Sequence, residues 1–120
     1  MSSHVLMVMS NPVAGREDEY NEWYDSVHLG EVLQVPGFVA ARRFVAGSSV
    51  RGGEPSHKYL SIYEIEADDL AAALAALSEA VKGMHMSDAI DTVDVAAWGF
   101  TAVGDRQTTD RPTAGATAPS

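Results

Sequence analysis

Residues 4–10 read HVLMVMS, an almost unbroken apolar run rich in Val and Met. Such a run is typical of a central β-strand that is covered on both faces, because a strand with one wet face alternates apolar and polar residues. Asn11-Pro12 ends the strand, since proline lacks the amide hydrogen that a sheet ladder requires. This first strand predicts a sheet that is buried on both sides.

Strand-like and helix-like segments alternate after it. Aromatic residues at helical spacing predict a helix from Arg16 to Leu29, a break or kink at Gly30 and a short continuation over residues 31–34. Two strands joined by a Gly- and Ser-rich connection follow, then a second helix capped by Asp68, and a last strand after a loop. The predicted ranges are 38–46 and 58–66 for the two strands, 68–83 for the helix and 93–103 for the last strand.

The resulting order, β-α-β-β-α-β, predicts a ferredoxin-like fold of the α+β class. Right-handed crossovers place both helices on one face of a four-stranded antiparallel sheet. The helices shield only that face, whereas the first strand is apolar on both faces. We therefore expect a homodimer in which two sheets face each other.

Composition limits the domain count and the compartment. A chain of 120 residues with 46% apolar content fits one packed domain, predicted over residues 1–103. Residues 104–120 contain no large apolar side chain, which predicts a disordered tail. There is no apolar run of roughly 18 residues and no basic-then-apolar start, so we expect a soluble, cytoplasmic protein.

Charge and cysteine content argue against several partners. Seventeen acidic against eight basic residues give a formal charge of −9, which disfavours nucleic acid and anionic membrane. The absence of cysteine excludes Cys-ligated metals and disulfides. A metal would have to use His28, Glu31 and His85, a weak pattern, and heme would need one of the two histidines as its axial ligand. We expect no cofactor.

Residues 23–29, WYDSVHL, followed by EVL at 31–33, PG at 36–37 and RRF at 42–44, carry a family resemblance. They resemble the EthD-like part of the dimeric α/β-barrel superfamily. The resemblance implies a ferredoxin-like protomer, a dimer closed by facing sheets and a pocket between helices and sheet. Its members include polyketide cyclases, lactone isomerases, cofactor-free oxygenases and heme degraders, so the reaction stays open.

His28 is the first candidate for chemistry. On a helix it lies one turn from Tyr24 and three residues before Glu31, at the border of the inward aromatic face. A neutral imidazole with a pKa near 6.5 moves protons at physiological pH. The alternative is a buried histidine that orients the helix. Tyr24 and Tyr63 are the candidate donors to a carbonyl or enolate oxygen, with ordinary packing as their alternative.

Five further residues are candidates for substrate binding. Arg42 and Arg43 are neighbours on a strand and face opposite ways, so an inward arginine needs a carboxylate such as Glu31 or an anionic substrate group. His85 lies in a loop between two methionines, where it could cover the pocket. The alternative is that the methionines of this loop only pack against the core. The five candidates are Tyr20, Trp23, Arg43, His85 and Trp98.

Together these residues predict a cofactor-independent enzyme for a small, mainly apolar carbonyl compound of polyketide, aromatic or terpenoid type. His28 would move a proton and a tyrosine would stabilise the enolate, giving cyclisation, isomerisation, dehydration or lyase chemistry. One alternative is a cofactor-free oxygenase, a monooxygenase that uses the same carbanion. The other is a non-catalytic ligand-binding or accessory protein.

Overall fold

The computed structural model describes residues 2–111. All neighbouring strands of its four-stranded sheet are antiparallel, in the order β2-β3-β1-β4. This is the ferredoxin-like βαββαβ protomer that the sequence predicts. The elements are β1 Ser2–Ser10, α1 Glu17–Trp23, a π-helical segment Tyr24–His28, α2 Leu29–Val32, β2 Phe38–Val45, β3 Tyr59–Ala67, α3 Leu70–Val81 and β4 Ala96–Thr101.

Within the described residues, the predicted tail contributes no regular element. Residues 104–111 are exposed and lie outside the helices and strands. The rest of the tail predicted to be disordered, residues 112–120, lies outside the described residues. Among the helices of residues 2–111, none has the length and apolarity that a membrane span requires.

Alternation along β1 divides the sheet into two faces. His4, Leu6 and Ser10 are buried beneath the helices, on what we call the covered face. The residues between them point to the other side, which we call the open face, because directly opposed residues of antiparallel strands share a face. Three rows cross all four strands there: Ala40–Glu64–Val5–Phe100, Arg42–Ile62–Met7–Trp98 and Phe44–Leu60–Met9–Ala96.

A β-bulge changes the start of β2. Strict alternation would place Phe38 on the same face as Arg42 and Phe44. The pairing with β3 is irregular between Phe38 and Ala40, and the extra residue turns Phe38 to the covered face, where it is 5% exposed. The aromatic ring therefore joins the core instead of the open face.

The first helix departs from expectation in the turn before Gly30. The predicted break at Gly30 is wrong, because the helix continues through it as α2. The irregularity lies in the segment Tyr24–His28, which is π-helical, and the amide of Leu29 donates to the carbonyl of Tyr24, five residues back. π-helical turns are rare in proteins, and those that occur are often found at functional sites. This turn carries both Tyr24 and His28.

Helix α3 and β4 also differ in detail from the prediction. The N-cap is Asp69 rather than Asp68, since the Asp69 carboxylate accepts from the amide of Ala71 at 3.0 Å. Strand β4 is shorter than the predicted 93–103. Gly99 lets α3 lie close to it, because a Cβ at this position would stand 2.9 Å from a Leu74 methyl carbon.

The core consists of two hydrophobic clusters that meet at Leu29. One cluster lies between α2, α3 and the sheet, and includes Leu6, Val32, Val35, Phe38, Tyr63, Ile65 and Ala73. The other lies around α1 and the π-helical segment, and includes Tyr20, Trp23, Tyr24, Ala89 and Ile90. Leu29 packs against both. The candidate catalytic residues belong to this junction.

Candidate functional site

The predicted catalytic side chains all lie on the covered face. Tyr63 is 1% exposed and Tyr24, on the π-helical segment, is also 1% exposed. The sequence left open which face of β3 meets the helices. The register resolves it, because Tyr63 stands opposite the buried Leu6 of β1.

His28 is held by aromatic rings and leaves one nitrogen unpaired. Its ring stacks on Trp23, with centroids 4.6 Å apart and planes at 21°, and meets Tyr24 edge-on at 5.2 Å. Its Nδ1 atom is buried without a hydrogen-bond partner. Burial lowers the pKa of His28, and the Glu31 carboxylate opposes this with a smaller effect. The neutral imidazole therefore dominates at neutral pH.

The Tyr63 hydroxyl is the second unpaired group. It is buried and has no partner in good hydrogen-bonding geometry, although the hydroxyls of Tyr24 and Ser61 lie close enough to act on its pKa. Burial raises the pKa of Tyr63 above its ordinary value, and the neighbouring Tyr24 raises it further. The hydroxyl keeps its proton throughout the physiological range, so it has a hydrogen bond to donate.

Arg43 is the arginine that faces inward. Its Nη1 donates to Asp25 Oδ1 at 2.8 Å and its Nη2 donates to Asn21 Oδ1 at 2.7 Å. The guanidinium lies over the Tyr24 ring at 4.6 Å, and the side chain is 11% exposed. The partner carboxylate is Asp25 rather than the suggested Glu31. The Nε atom is buried without a partner.

These three unpaired atoms belong to residues that neighbour Tyr24. His28 and Arg43 both contact the ring of Tyr24, and the Tyr24 hydroxyl acts on the pKa of Tyr63. Native interiors pair almost all of their buried polar groups, so three unpaired atoms around one ring are unusual.

Polar groups elsewhere on the covered face are paired. The Ser10 and Tyr20 hydroxyls share a hydrogen bond of 2.6 Å. His4 bonds the Thr101 hydroxyl at 2.9 Å and the Ala67 carbonyl at 3.0 Å. The Tyr20 hydroxyl is therefore already hydrogen-bonded to Ser10, and only the Tyr20 ring is left to line the site. The unpaired atoms are confined to the neighbourhood of Tyr24.

His85 reaches the site by its backbone. Its imidazole is exposed, with Nδ1 2.6 Å from a Glu31 carboxylate oxygen. Its amide donates to Glu31 at 3.0 Å, and its carbonyl accepts from Trp23 Nε1 at 2.6 Å. The side-chain hydrogen bond from His85 is the main cause of a lowered pKa of Glu31. The loop thus covers Trp23, while the His85 ring points away from His28 into solvent.

Trp98 lies apart from the other candidates. It stands opposite Met7 on the open face and is 68% exposed. The sheet separates it from the cluster around Tyr24. The structure therefore does not bring Trp98 to the pocket predicted between helices and sheet.

Sequence reasoning missed two contributions. Asn21 and Asp25 are not among the candidate residues predicted from the sequence, yet both bind Arg43. Their spacing of four residues on a helix predicts that they share a face, which is the signal that was available. Within residues 2–111, no group of three or more His, Asp or Glu side chains is arranged to hold a metal ion.

Comparison with solved structures identifies the class of fold. A candidate monooxygenase from Shewanella loihica PV-4 has a TM-score of 0.57 at 11% identity, covering 88% of this chain and 99% of that one. MhuD, a heme degrader from Mycobacterium tuberculosis solved with two hemes in its active site, has a TM-score of 0.55 at 18% identity, over 87% and 99%. An EthD family protein from Bacillus halodurans C-125 has a TM-score of 0.54 at 14% identity, over 89% and 100%.

Comparisons of the sequence with family models and with curated proteins gave no match. At identities this low, the structural likeness concerns the fold. The chain has a ferredoxin-like fold, as predicted from its order of elements, and it shares this fold with an EthD family protein. Enzymes are built on this fold, and MhuD holds its ligand in an active site.

Proposed function

We propose that this chain is a cofactor-independent enzyme that binds a small, mainly apolar carbonyl compound between helices and sheet. In this enzyme His28 is the acid and base that transfers a proton of the substrate. The observation that carries the proposal is that three buried, unpaired polar atoms, His28 Nδ1, Tyr63 Oη and Arg43 Nε, belong to neighbours of Tyr24. Because such atoms destabilise a fold unless they gain partners, a bound substrate accounts for their retention.

The arrangement suits proton abstraction next to a carbonyl group. Neutral His28 takes a proton from the carbon, the electron pair of the C–H bond moves toward the carbonyl oxygen, and an enolate forms. The Tyr63 hydroxyl donates a hydrogen bond to that oxygen. The positive charge of Arg43, close to Tyr24, favours the negative charge that develops.

The fate of the enolate sets the overall reaction. Return of the proton to another carbon gives isomerisation, loss of a leaving group gives dehydration or lyase chemistry, and attack on a second carbonyl gives cyclisation. Trp23, Tyr20 and Leu29 surround the site with apolar surface, which supports a substrate of polyketide, aromatic or terpenoid type.

Deuterium incorporation tests the shared first step without knowledge of the natural substrate. Three carbonyl probes, an aryl ketone, an aryl 1,3-diketone and a cyclic enone, are incubated with the protein in D₂O and followed by NMR. We expect catalysed exchange on at least one probe, its loss in His28→Asn, and its retention in the matched control His57→Asn. His57 pairs with Asp94 away from Tyr24. Exchange on no probe, or unchanged exchange in His28→Asn, would contradict the proposal.

A cofactor-free oxygenase is the second candidate. The Shewanella neighbour, a candidate monooxygenase, favours it. The same carbanion would then give one electron to molecular oxygen, and the two radicals would combine to form the carbon–oxygen bond of a peroxide. Protonation of the peroxide, cleavage of its O–O bond and loss of water would leave one oxygen atom on the carbon as a carbonyl group. Oxygen uptake that accompanies probe turnover supports this candidate, and exchange without uptake supports the first.

Two further outcomes separate binding from catalysis. Probe binding without exchange, unaffected by His28→Asn, supports a non-catalytic binding protein. Heme is the ligand of the neighbour MhuD, so the same protein is titrated with hemin. A saturable change in the heme absorption band that is lost in His28→Asn would argue against a cofactor-independent enzyme.

We also propose that two copies pair through their open faces. Trp98, Phe100 and Phe44 are 68%, 52% and 41% exposed there, in rows that continue across the sheet. Exposed aromatic residues in such a continuous patch are unfavourable in water, and a second copy covers them symmetrically. Sedimentation equilibrium is expected to give about twice the 12.8 kDa of one chain. A stable monomer at micromolar concentration would contradict the pairing.

A further inference from the structure

We propose that Glu31 is a positioning residue for His28, acting through the backbone of His85 and the indole of Trp23. The inference rests on the proposed function of His28. Glu31 makes no hydrogen bond to His28 itself; its described partners are groups of His85. The connection runs through three consecutive contacts.

The first contact fixes the loop that follows α3. The Glu31 carboxylate accepts from the His85 amide at 3.0 and 3.2 Å, and lies 2.6 Å from His85 Nδ1. Three contacts to one residue hold both its backbone and its ring. Glu31 is thereby attached to a loop residue 54 positions away in the chain.

The second contact transfers this restraint to Trp23. The His85 carbonyl accepts from Trp23 Nε1 at 2.6 Å. The backbone of His85 is thus held at its amide by Glu31 and at its carbonyl by Trp23. If the amide is released, the carbonyl loses its fixed position, and the indole loses the acceptor that sets its orientation.

The third contact sets the plane of the His28 ring. The indole of Trp23 and the imidazole stack with centroids at 4.6 Å and planes at 21°. The nitrogen lone pairs and N–H bonds of an imidazole lie in its plane, so stacking restrains the direction of Nδ1 without occupying it. This agrees with the finding that Nδ1 is buried and still unpaired.

Glu31 also acts on His28 by charge. Its carboxylate raises the pKa of His28 against the larger, lowering effect of burial. The other titratable groups at the ring are the Tyr24 phenol, which contacts it edge-on, and His85, which shares the Glu31 carboxylate. Glu31 thus has a geometric effect through Trp23 and an electrostatic effect through space, and two substitutions separate them.

Fluorescence measures both effects without a substrate. The chain has two tryptophans, so Trp98→Phe leaves Trp23 as the only indole. A protonated imidazole quenches an indole stacked on it, and Trp23 emission is recorded from about pH 8 to about pH 5. We expect a titration that disappears in His28→Asn, which assigns it to the stacked pair.

Glu31→Ala removes the acceptor for the His85 amide, and we expect the amplitude of quenching to fall at least about two-fold because the stack loosens. Glu31→Gln retains one acceptor oxygen and removes the charge, so the amplitude is largely kept while the midpoint moves to lower pH. The matched control is Glu79→Gln, a carboxylate on α3 that pairs with Lys82. We expect it to change neither quantity.

The outcomes separate this inference from the proposed function. An unchanged amplitude in Glu31→Ala together with an unchanged midpoint in Glu31→Gln overturns the inference, whatever the catalytic role of His28. A Glu31-dependent titration in a protein whose His28→Asn variant keeps full probe exchange leaves the positioning intact and rejects the proposed function. If Glu31→Ala does not fold, as judged by circular dichroism, Glu31→Asp replaces it. Asp retains the charge and is one methylene too short to hold the His85 amide.

Discussion

On the covered face of the sheet, the polar side chains of β1 find partners inside the protomer, as His4 does with Thr101 and Ser10 with Tyr20. On the open face, the residues opposite the same strand are aromatic and exposed, with Trp98 at 68% and Phe100 at 52%. Alternate residues of β1 therefore face a core in which the polar groups are paired and a surface on which aromatic residues remain exposed. We call the second side incomplete. The incomplete side has the composition of an interface.

The comparison also places unpaired groups and exposed groups on different sides. The unpaired polar atoms of His28, Tyr63 and Arg43 are on the covered face, inside an otherwise satisfied core. A ligand with polar atoms would give the unpaired atoms hydrogen-bond partners, whereas an apolar partner surface would remove the exposed rings from water. This difference supports our two proposals, that the covered face carries the chemistry and that a second copy covers the open face.

The largest effect is expected on the covered face, from His28→Asn. If His28 is the general base, probe exchange falls by roughly 10²–10⁴-fold, while the melting temperature and the dimer are preserved. Asn is polar and does not titrate near neutrality. Exchange kinetics and thermal unfolding are measured on one preparation. A loss of stability with exchange retained in the folded fraction would instead identify a structural histidine.

The open face is tested by Trp98→Glu. In the proposed dimer each copy would lose a large aromatic group covered by its partner and gain a charge there, so we expect the dimer dissociation constant to rise by about 10²-fold or more. Probe exchange per folded protomer is expected to change little, since Trp98 is remote from Tyr24. Val50→Glu is the matched control, because Val50 is fully exposed in a loop outside both faces. Equal dimer affinity for the two variants would remove the distinction between the faces.

Tyr63→Phe tests whether the unpaired hydroxyl is kept for function. Removing a buried group that has no partner is expected to leave the free energy of unfolding unchanged or to raise it by about 1 kcal/mol, while probe exchange falls. Tyr20→Phe has the opposite expectation. It leaves the Ser10 hydroxyl without its partner and lowers stability by about 1–3 kcal/mol. Urea unfolding measures both, and a clear destabilisation by Tyr63→Phe would show that its hydroxyl is paired after all.

The smallest effects concern two glycines. Gly30 is helical and exposed, and a Cβ there would meet nothing within 4 Å, so Gly30→Ala is expected to stabilise the fold by about 0.5–1 kcal/mol. Gly99→Ala is expected to destabilise it, because the added Cβ would lie 2.9 Å from a Leu74 methyl carbon on the covered face. Denaturant midpoints compare the two. A stabilising Gly99→Ala would show that the covered face is less tightly packed than the distances indicate.

Much of the fold follows from local patterns. The order of elements, the two-sided apolar character of β1 and the opposite directions of Arg42 and Arg43 depend on residues that are close in sequence. Periodicity and turn chemistry report such features directly. The position of His28 beside Tyr24 on one helix follows in the same way, which is why the sequence alone placed it first among the candidates.

The remaining features depend on contacts between distant parts of the chain, and only the tertiary structure decided them. Periodicity and turn chemistry did not reveal the bulge before Ala40, the π-helical segment or the choice of Asp69 over Asp68 as the N-cap. The pairing of Arg43 with Asp25 and the attachment of His85 to Glu31 join different elements. The unpaired state of His28 and Tyr63 is likewise non-local, because an atom lacks a partner only after every surrounding element has been placed.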